Sequence, residues 1–144
     1  MTSTIDANKQ VVLGFFEAVS ERRVDDLPTY MAADVIDHNK IIHGEADEPG
    51  AAFDGIRSQL AAFDPLLVDV DELVGEGDRV VARVTQRGTH GGTHPRMPQP
   101  TGRDFEVEAI WIFTLAEGKI AQIRAVSDRL GFFLQLGWDW PQTD

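Results

Sequence analysis

The chain has 144 residues, and its 24 Asp+Glu against 13 Lys+Arg give a formal net charge of −11 at pH 7. That length suits one domain with one core, and 42% hydrophobic residues, eight Phe among them, supply the core and argue against disorder. The acidic balance, with no basic run to offset it, disfavours nucleic acid and anionic membranes, and the absence of cysteine excludes disulfides, thiolate nucleophiles and Cys-ligated metal. With no signal-like N-terminal segment and no apolar run near the ~20 residues of a membrane span, the expectation is a soluble, cytoplasmic protein.

From Asp6 to Arg22, Val12, Phe15, Phe16 and Val19 recur at helical spacing and predict the first helix. Asp25 or Asp26 can cap a brief second helix with Pro28 in its first turn and Leu27, Tyr30 and Met31 facing inward. Val35 to Asn39 reads as a short extended piece, and Gly44 to Gly50 as an exposed acidic loop. A third helix runs from about Ala51 to Phe63 and ends at Asp64-Pro65.

Beyond Leu66 the period becomes two. Leu66 to Val74, Arg79 to His90, Phe105 to Leu115 and Lys119 to Val126 are strand candidates, with tight hairpins at Gly75 to Asp78 and at Glu117-Gly118-Lys119. Gly91 to Arg103, with Pro95, Pro98 and Pro100, is too long for a tight hairpin and has the length of a functional lid. Leu130, Phe133, Leu134 and Leu136 predict a short last helix, capped by Ser127 or Asp128 and stopped by Gly137. Helices followed by an antiparallel meander define an α+β class: a single domain over residues 1–144, with a cone-shaped, curved antiparallel sheet whose concave face the N-terminal helices cover. The open end of such a cone can hold a small ligand.

Several side chains are candidates for chemistry there. Asp128 stands where a strand gives way to a helix; it either points into the cone mouth, where lost hydration sharpens a carboxylate as a base, or caps the helix by accepting backbone N–H bonds. Arg124 shares its strand parity if no bulge intervenes, so an inward Arg124 would pair with Asp128 or hold an enolate oxygen, and an outward one would be an ordinary surface arginine. His90 ends a strand and is a candidate pocket imidazole, whereas His94 is expected to be solvated; their spacing crosses Gly91-Gly92 rather than a helix, so no metal site is assigned. His38 could relay a proton and Asn39 donate to a substrate carbonyl, unless both are simply satisfied by backbone.

Phe15, Phe16, Tyr30, Trp111 and Phe113 supply wall material, most of it core and some of it suited to flat aromatic rings. Trp138 and Trp140 call for cover from an interface or a folded-back lid, and Val68, Val70, Val80, Ala82 and Val84 offer a sheet face for a homodimer. No G-x-G-x-x-G, P-loop, G-x-S-x-G or kinase set occurs, so nucleotide cofactors, phosphoryl transfer and serine hydrolysis have no support.

Arg87-Gly88-Thr89-His90-Gly91-Gly92, the run Pro98 to Arg103, Ile112-Phe113, Glu117 to Ile120, Asp128 with Leu130-Gly131, and Gln135-Leu136-Gly137 follow one another in an order that resembles the SnoaL-like polyketide cyclases of the nuclear transport factor 2-like superfamily. The resemblance implies a cofactor-free enzyme with an apolar pocket that closes a ring of a polyketide ester by intramolecular aldol reaction, with Asp128 as acid/base. It further implies a histidine partner for that Asp in the pocket; the neighbouring strand Phe105 to Leu115 carries no histidine and has Trp111 instead. Cofactor-independent hydroxylases on the same scaffold are the alternative reaction, and a non-catalytic module binding a small ligand or a partner protein is the alternative class. Epoxide hydrolysis would need a second Asp beside Asp128 and Arg124, and none is evident.

Overall fold

The computed structural model describes residues 4–39, 48–94 and 97–137. Helix α1 (Thr4–Ser20) buries Val12, Phe15, Phe16, Ala18 and Val19, the stripe that its spacing dictates. A 3₁₀ turn (Val24–Asp26) and α2 (Leu27–Tyr30) follow, with Pro28 in the first turn of α2, then β1 (Met31–Asp37) and α3 (Ala51–Ala62). Strands β2 (Phe63–Glu76), β3 (Arg79–His90), β4 (Asp104–Ala116) and β5 (Lys119–Ser127) form the meander, and α4 (Arg129–Gln135) closes the described chain. No helix among the described residues is long and apolar enough to cross a membrane.

The sheet order is β1-β5-β4-β3-β2, open rather than closed. The meander is antiparallel, but β1 pairs with β5 in parallel, Asp37 opposite Ile123, so the sheet is mixed where an all-antiparallel one was expected. The reason is connectivity: β1 reaches the sheet from the helical half and joins the edge of the last strand, whereas each later strand is tied to its predecessor. The extended piece is also longer than Val35 to Asn39 and ends at Asp37, so His38 and Asn39 lie just past the strand in a helical turn. Both hairpin turns follow their sequence signals. Gly77 takes φ 58°, and Glu117 and Gly118 take φ 53° and 79°, the positive pair of a type I′ turn.

One face of the sheet carries the core. Val80, Ala82 and Val84 of β3 and Phe105, Val107, Ala109 and Phe113 of β4 are buried beneath the helices. This corrects the expected dimer face: Val80, Ala82 and Val84 are wholly buried on the inner side, and Val68 and Val70 are half-buried. Ile110, Ile112 and Val126 are exposed on the opposite face, as are Ile36 and Val74 on the outer strands β1 and β2.

Long-range bonds tie the helices to the sheet. Arg22, in the left-handed region at φ 60°, donates from its guanidinium to the carbonyls of Leu60 and Phe63, where α3 passes into β2. Arg23 bridges Asp26 and Glu21, and those carboxylates push its pKa up. The backbone N–H groups of Gly91 and Gly92 donate to the Ala62 carbonyl at 3.2 and 3.0 Å, satisfying the C-terminus of α3 from the loop after β3. A Cβ on Gly92 would fall on the carbonyl oxygen of Ala61, whereas one on Gly91 meets open space. Gly92→Ala is therefore expected to cost about 1–3 kcal/mol in urea unfolding, and Gly91→Ala no more than about 0.5 kcal/mol. Equal effects of the two would contradict this contact.

Candidate active site

Two groups of rings lie on the inner face. Beneath α1, Phe15, Phe16, Trp111 and Phe113 pack together: Phe16 meets Trp111 edge-on at 5.5 Å, Phe15 lies 5.8 Å from Phe113, and Trp111 stacks on Phe113 at 5.6 Å with 14° between planes. Phe15, Phe16 and Phe113 are buried there, with Trp111 half-buried beside them. The Trp111 indole Nε1 is buried with no hydrogen-bond partner among the described residues. Tyr30 is half-buried against α1, its ring seated over Gly14, where any Cβ would collide with it.

The second group gathers around Phe63 at the other end of β3 and β4. Its ring centroid lies 5.5 Å from His90, 5.8 Å from His94, 5.1 Å from Phe105 and 5.5 Å from Phe132. His94 is also 5.7 Å from Phe133. A solvated His94 was expected, but it is only 7% exposed, because the loop after β3 folds back over Phe63 and meets the rings of α4. His90 is fully buried; its Nδ1 lies 3.1 Å from the Thr101 hydroxyl and accepts from the Thr101 backbone N–H at 3.3 Å, while Nε2 has no partner among the described residues.

Asp128 sits at the β5–α4 junction, exposed, as the N-cap of α4: its Oδ1 accepts from Gly131 N at 2.8 Å. Gly131 is required by this geometry, since a Cβ there would fall on the capping carboxylate. The junction also solves a pairing problem. Strand β5 ends at Ser127 opposite Ala109, so the start of β4 has no partner on that side. Asp128 N donates to the Glu108 carbonyl at 3.3 Å, and the Gln135 amide takes both groups of Glu106, accepting from its N–H at 2.7 Å and donating to its carbonyl at 3.1 Å.

Arg124 is exposed on the outer face, opposite Ile112. A bulge decides this. Leu115 pairs with Ile120, and continuing that register would set Arg124 opposite Trp111, inside; the shift between Thr114 and Leu115 moves Ala125 into that place and turns Arg124, with Val126, outward. The arrangement therefore does not bring Arg124 and Asp128 together inside the cone.

His38 and Asn39 serve the edge of the sheet. His38 Nε2 lies 2.9 Å from Gln122 Oε1. Asn39 Oδ1 accepts from Ala125 N at 2.9 Å, two residues beyond the last β1–β5 pair on each chain segment, and its own N–H donates to Asp37 Oδ1 at 3.0 Å. No group of three or more His, Asp or Glu converges to hold a metal ion among the described residues. Trp138 and Trp140 lie outside the described residues, as do His43 and most of the acidic loop. Thr101, Gly131 and Gln135 belong to stretches that carry the family resemblance, but sequence reasoning gave none of them a role: Thr101 and Gln135 act on groups far along the chain, and Gly131 leaves room for the capping carboxylate.

The two duties of the junction separate by mutation. Asp128→Asn retains a capping oxygen and is expected to unfold within about 0.5 kcal/mol of the parent, while Asp128→Ala loses about 1 kcal/mol. Gln135→Ala is expected to cost about 1 kcal/mol through the two unpaired groups of Glu106. Thermal or urea unfolding measures all three, and an Asn variant as weak as the Ala variant would show that Asp128 does not act as a cap.

The family model for SnoaL-like polyketide cyclases matches residues 10–136. The chain is 28% identical over 146 residues to the aklanonic acid methyl ester cyclase DnrD of Streptomyces peucetius, covering 100% of this chain and 97% of that one. It is likewise 28% identical over 128 residues to the nogalonic acid methyl ester cyclase of Streptomyces nogalater, covering 88% and 95%. Among solved structures, TsrD from Streptomyces laurentii superposes with a TM-score of 0.80 at 29% identity over 91% of this chain and 95% of that one. With its α+β cone and a family match that runs from α1 through the Asp128 junction to α4, the chain belongs to the SnoaL-like polyketide cyclase family.

Proposed function

We propose that the protein closes a ring in an aromatic polyketide ester by an intramolecular aldol reaction, without a cofactor and with Asp128 as the base. The observation that carries this reading is the family match across residues 10–136, which includes the Asp128-x-x-Gly131 junction, together with full-length relatives that cyclise such esters. The Asp128 carboxylate takes a proton from a methylene flanked by carbonyls, the enolate carbon bonds to a ketone carbon within the same molecule, and the resulting alkoxide takes up a proton. No atoms are gained or lost, so product and substrate have equal mass. Folding the chain of the substrate against rigid aromatic walls contributes by orientation.

In the free protein one Asp128 oxygen is held by Gly131 N. Oδ1 keeps that bond while Oδ2 takes the substrate proton, because an ionised carboxylate accepts through both oxygens. A positioned base of this kind supplies ~10²–10⁴-fold in rate. Capping and proton abstraction are thus compatible.

The test is incubation with aklanonic and nogalonic acid methyl esters, with and without oxygen, for the parent and Asp128→Asn. Equal-mass product lost in Asp128→Asn is the expected result. A gain of one oxygen under air only would place the protein with the hydroxylases, and binding without any turnover would leave a ligand-binding module.

The reading includes a homodimer through the outer sheet face. Ile110, Ile112 and Val126 are exposed there beside Arg124 and Glu108, an apolar strip bordered by both signs of charge that two copies can match across a twofold axis. Sedimentation at micromolar concentration is expected to give a dimer that Val126→Glu converts to monomer. A monomeric parent would contradict it.

A further inference from the structure

We propose that Thr101 is a positioning residue that holds His90 in its Nε2–H tautomer, so that the buried imidazole offers the interior a hydrogen-bond donor and not a base. The argument starts from what each group is able to do. A backbone N–H can only donate, and Thr101 N–H points at His90 Nδ1 at 3.3 Å, so Nδ1 presents its lone pair. The Thr101 hydroxyl, 3.1 Å from the same nitrogen, itself accepts from Arg103 N–H at 3.2 Å, which leaves its own proton to be directed at Nδ1. Two donors converge on one ring nitrogen, and the ring proton of the neutral imidazole resides on the other.

The backbone fixes this arrangement as firmly as the side chains do. His90 N–H donates to Arg103 O at 2.9 Å and Gly102 N–H to His90 O at 2.8 Å, so residues 101–103 clasp His90 at three points. The ring is held against Phe63 at 5.5 Å and is fully buried. Its Nε2–H is left without an acceptor among the described residues. A buried donor left unpaired costs about 1–3 kcal/mol, and the group that relieves it must supply an acceptor from outside this set.

This deepens the cyclase reading and rests on it for the identity of that acceptor: a ketone or enolate oxygen of the polyketide. The proton stays on Nε2 throughout, and the neutral imidazole polarises the oxygen by hydrogen bonding as negative charge develops on it. The division of labour follows: Asp128 removes the proton, and His90 stabilises the oxyanion.

The tautomer is read directly from two-bond ¹H–¹⁵N correlations of the histidine rings in uniformly ¹⁵N-labelled protein, His90 being assigned by the loss of its signals in His90→Gln. In the parent the expected spectrum has Nε2 protonated and Nδ1 bare, with well-separated nitrogen shifts. Thr101→Val loses the hydroxyl but keeps the backbone N–H, so it is expected to narrow the separation of the two shifts in part, and Thr101→Ser to restore it. With substrate, Thr101→Val lowers kcat about tenfold at unchanged KM, less than the ~10²–10³-fold of deleting an oxyanion donor outright. A parent spectrum with the proton on Nδ1, or a Thr101→Val spectrum identical to the parent's, overturns the proposal. The spectra need no substrate, so they can fail while Asp128-dependent cyclisation stands, and hold while cyclisation fails.

Discussion

The structure depends on a mismatch of strand lengths. Strand β5 stops at Ser127, opposite Ala109, while β4 begins at Asp104, so the first residues of β4 have peptide groups facing a missing neighbour. Unpaired backbone groups are costly wherever water is excluded, and the chain answers with side chains and a turn. Asp128 N meets Glu108, Gln135 meets both groups of Glu106, and the helix between them is capped by Asp128 itself. That docking sets Phe132 against Phe105 at 4.7 Å and closes the ring group around Phe63. The same junction thus finishes the sheet and places the carboxylate on which the proposed chemistry turns.

Donors at the two ends of the inner face differ in how they are held. Trp111 Nε1 belongs to a rigid stack of rings under α1, fixed by packing alone. His90 Nε2 belongs to a ring whose other nitrogen is held by hydrogen bonds from a loop. Packing sets where a ring lies, but hydrogen bonds also set where its proton resides, and only the second can assign an imidazole to one side of acid/base chemistry. The loop carrying Thr101 has a chemical reason for its length, because it must return from β3 and clasp the residue that ends it.

Much of the fold was legible because period and turn chemistry are local. Val12, Phe15, Phe16 and Val19 had to form one helical face, and Glu117-Gly118 had to turn β4 into β5. The site was less legible because its decisive features are not local. Arg124 faces outward owing to one bulge, for which the only sequence trace is that the buried residues Ile120 and Ile123 lie an odd number of positions apart on one strand. His94 is buried because a loop folds onto Phe63, Phe132 and Phe133. The parallel pairing of β1, and the roles of Asn39, Thr101 and Gln135, come from meetings across the fold that no spacing encodes.

The central claim is that Asp128 caps α4 through one oxygen and acts on substrate through the other. Amide hydrogen exchange at Gly131 and Phe132 addresses it directly, compared with and without a bound polyketide methyl ester on the Asp128-intact protein under conditions of slow turnover. Gly131 N–H bonds to the Asp128 side chain and Phe132 N–H to the Asp128 carbonyl. The account predicts that Gly131 and Phe132 both stay protected when the ester binds, since cap and base use different oxygens. Accelerated exchange at Gly131 on binding would contradict it.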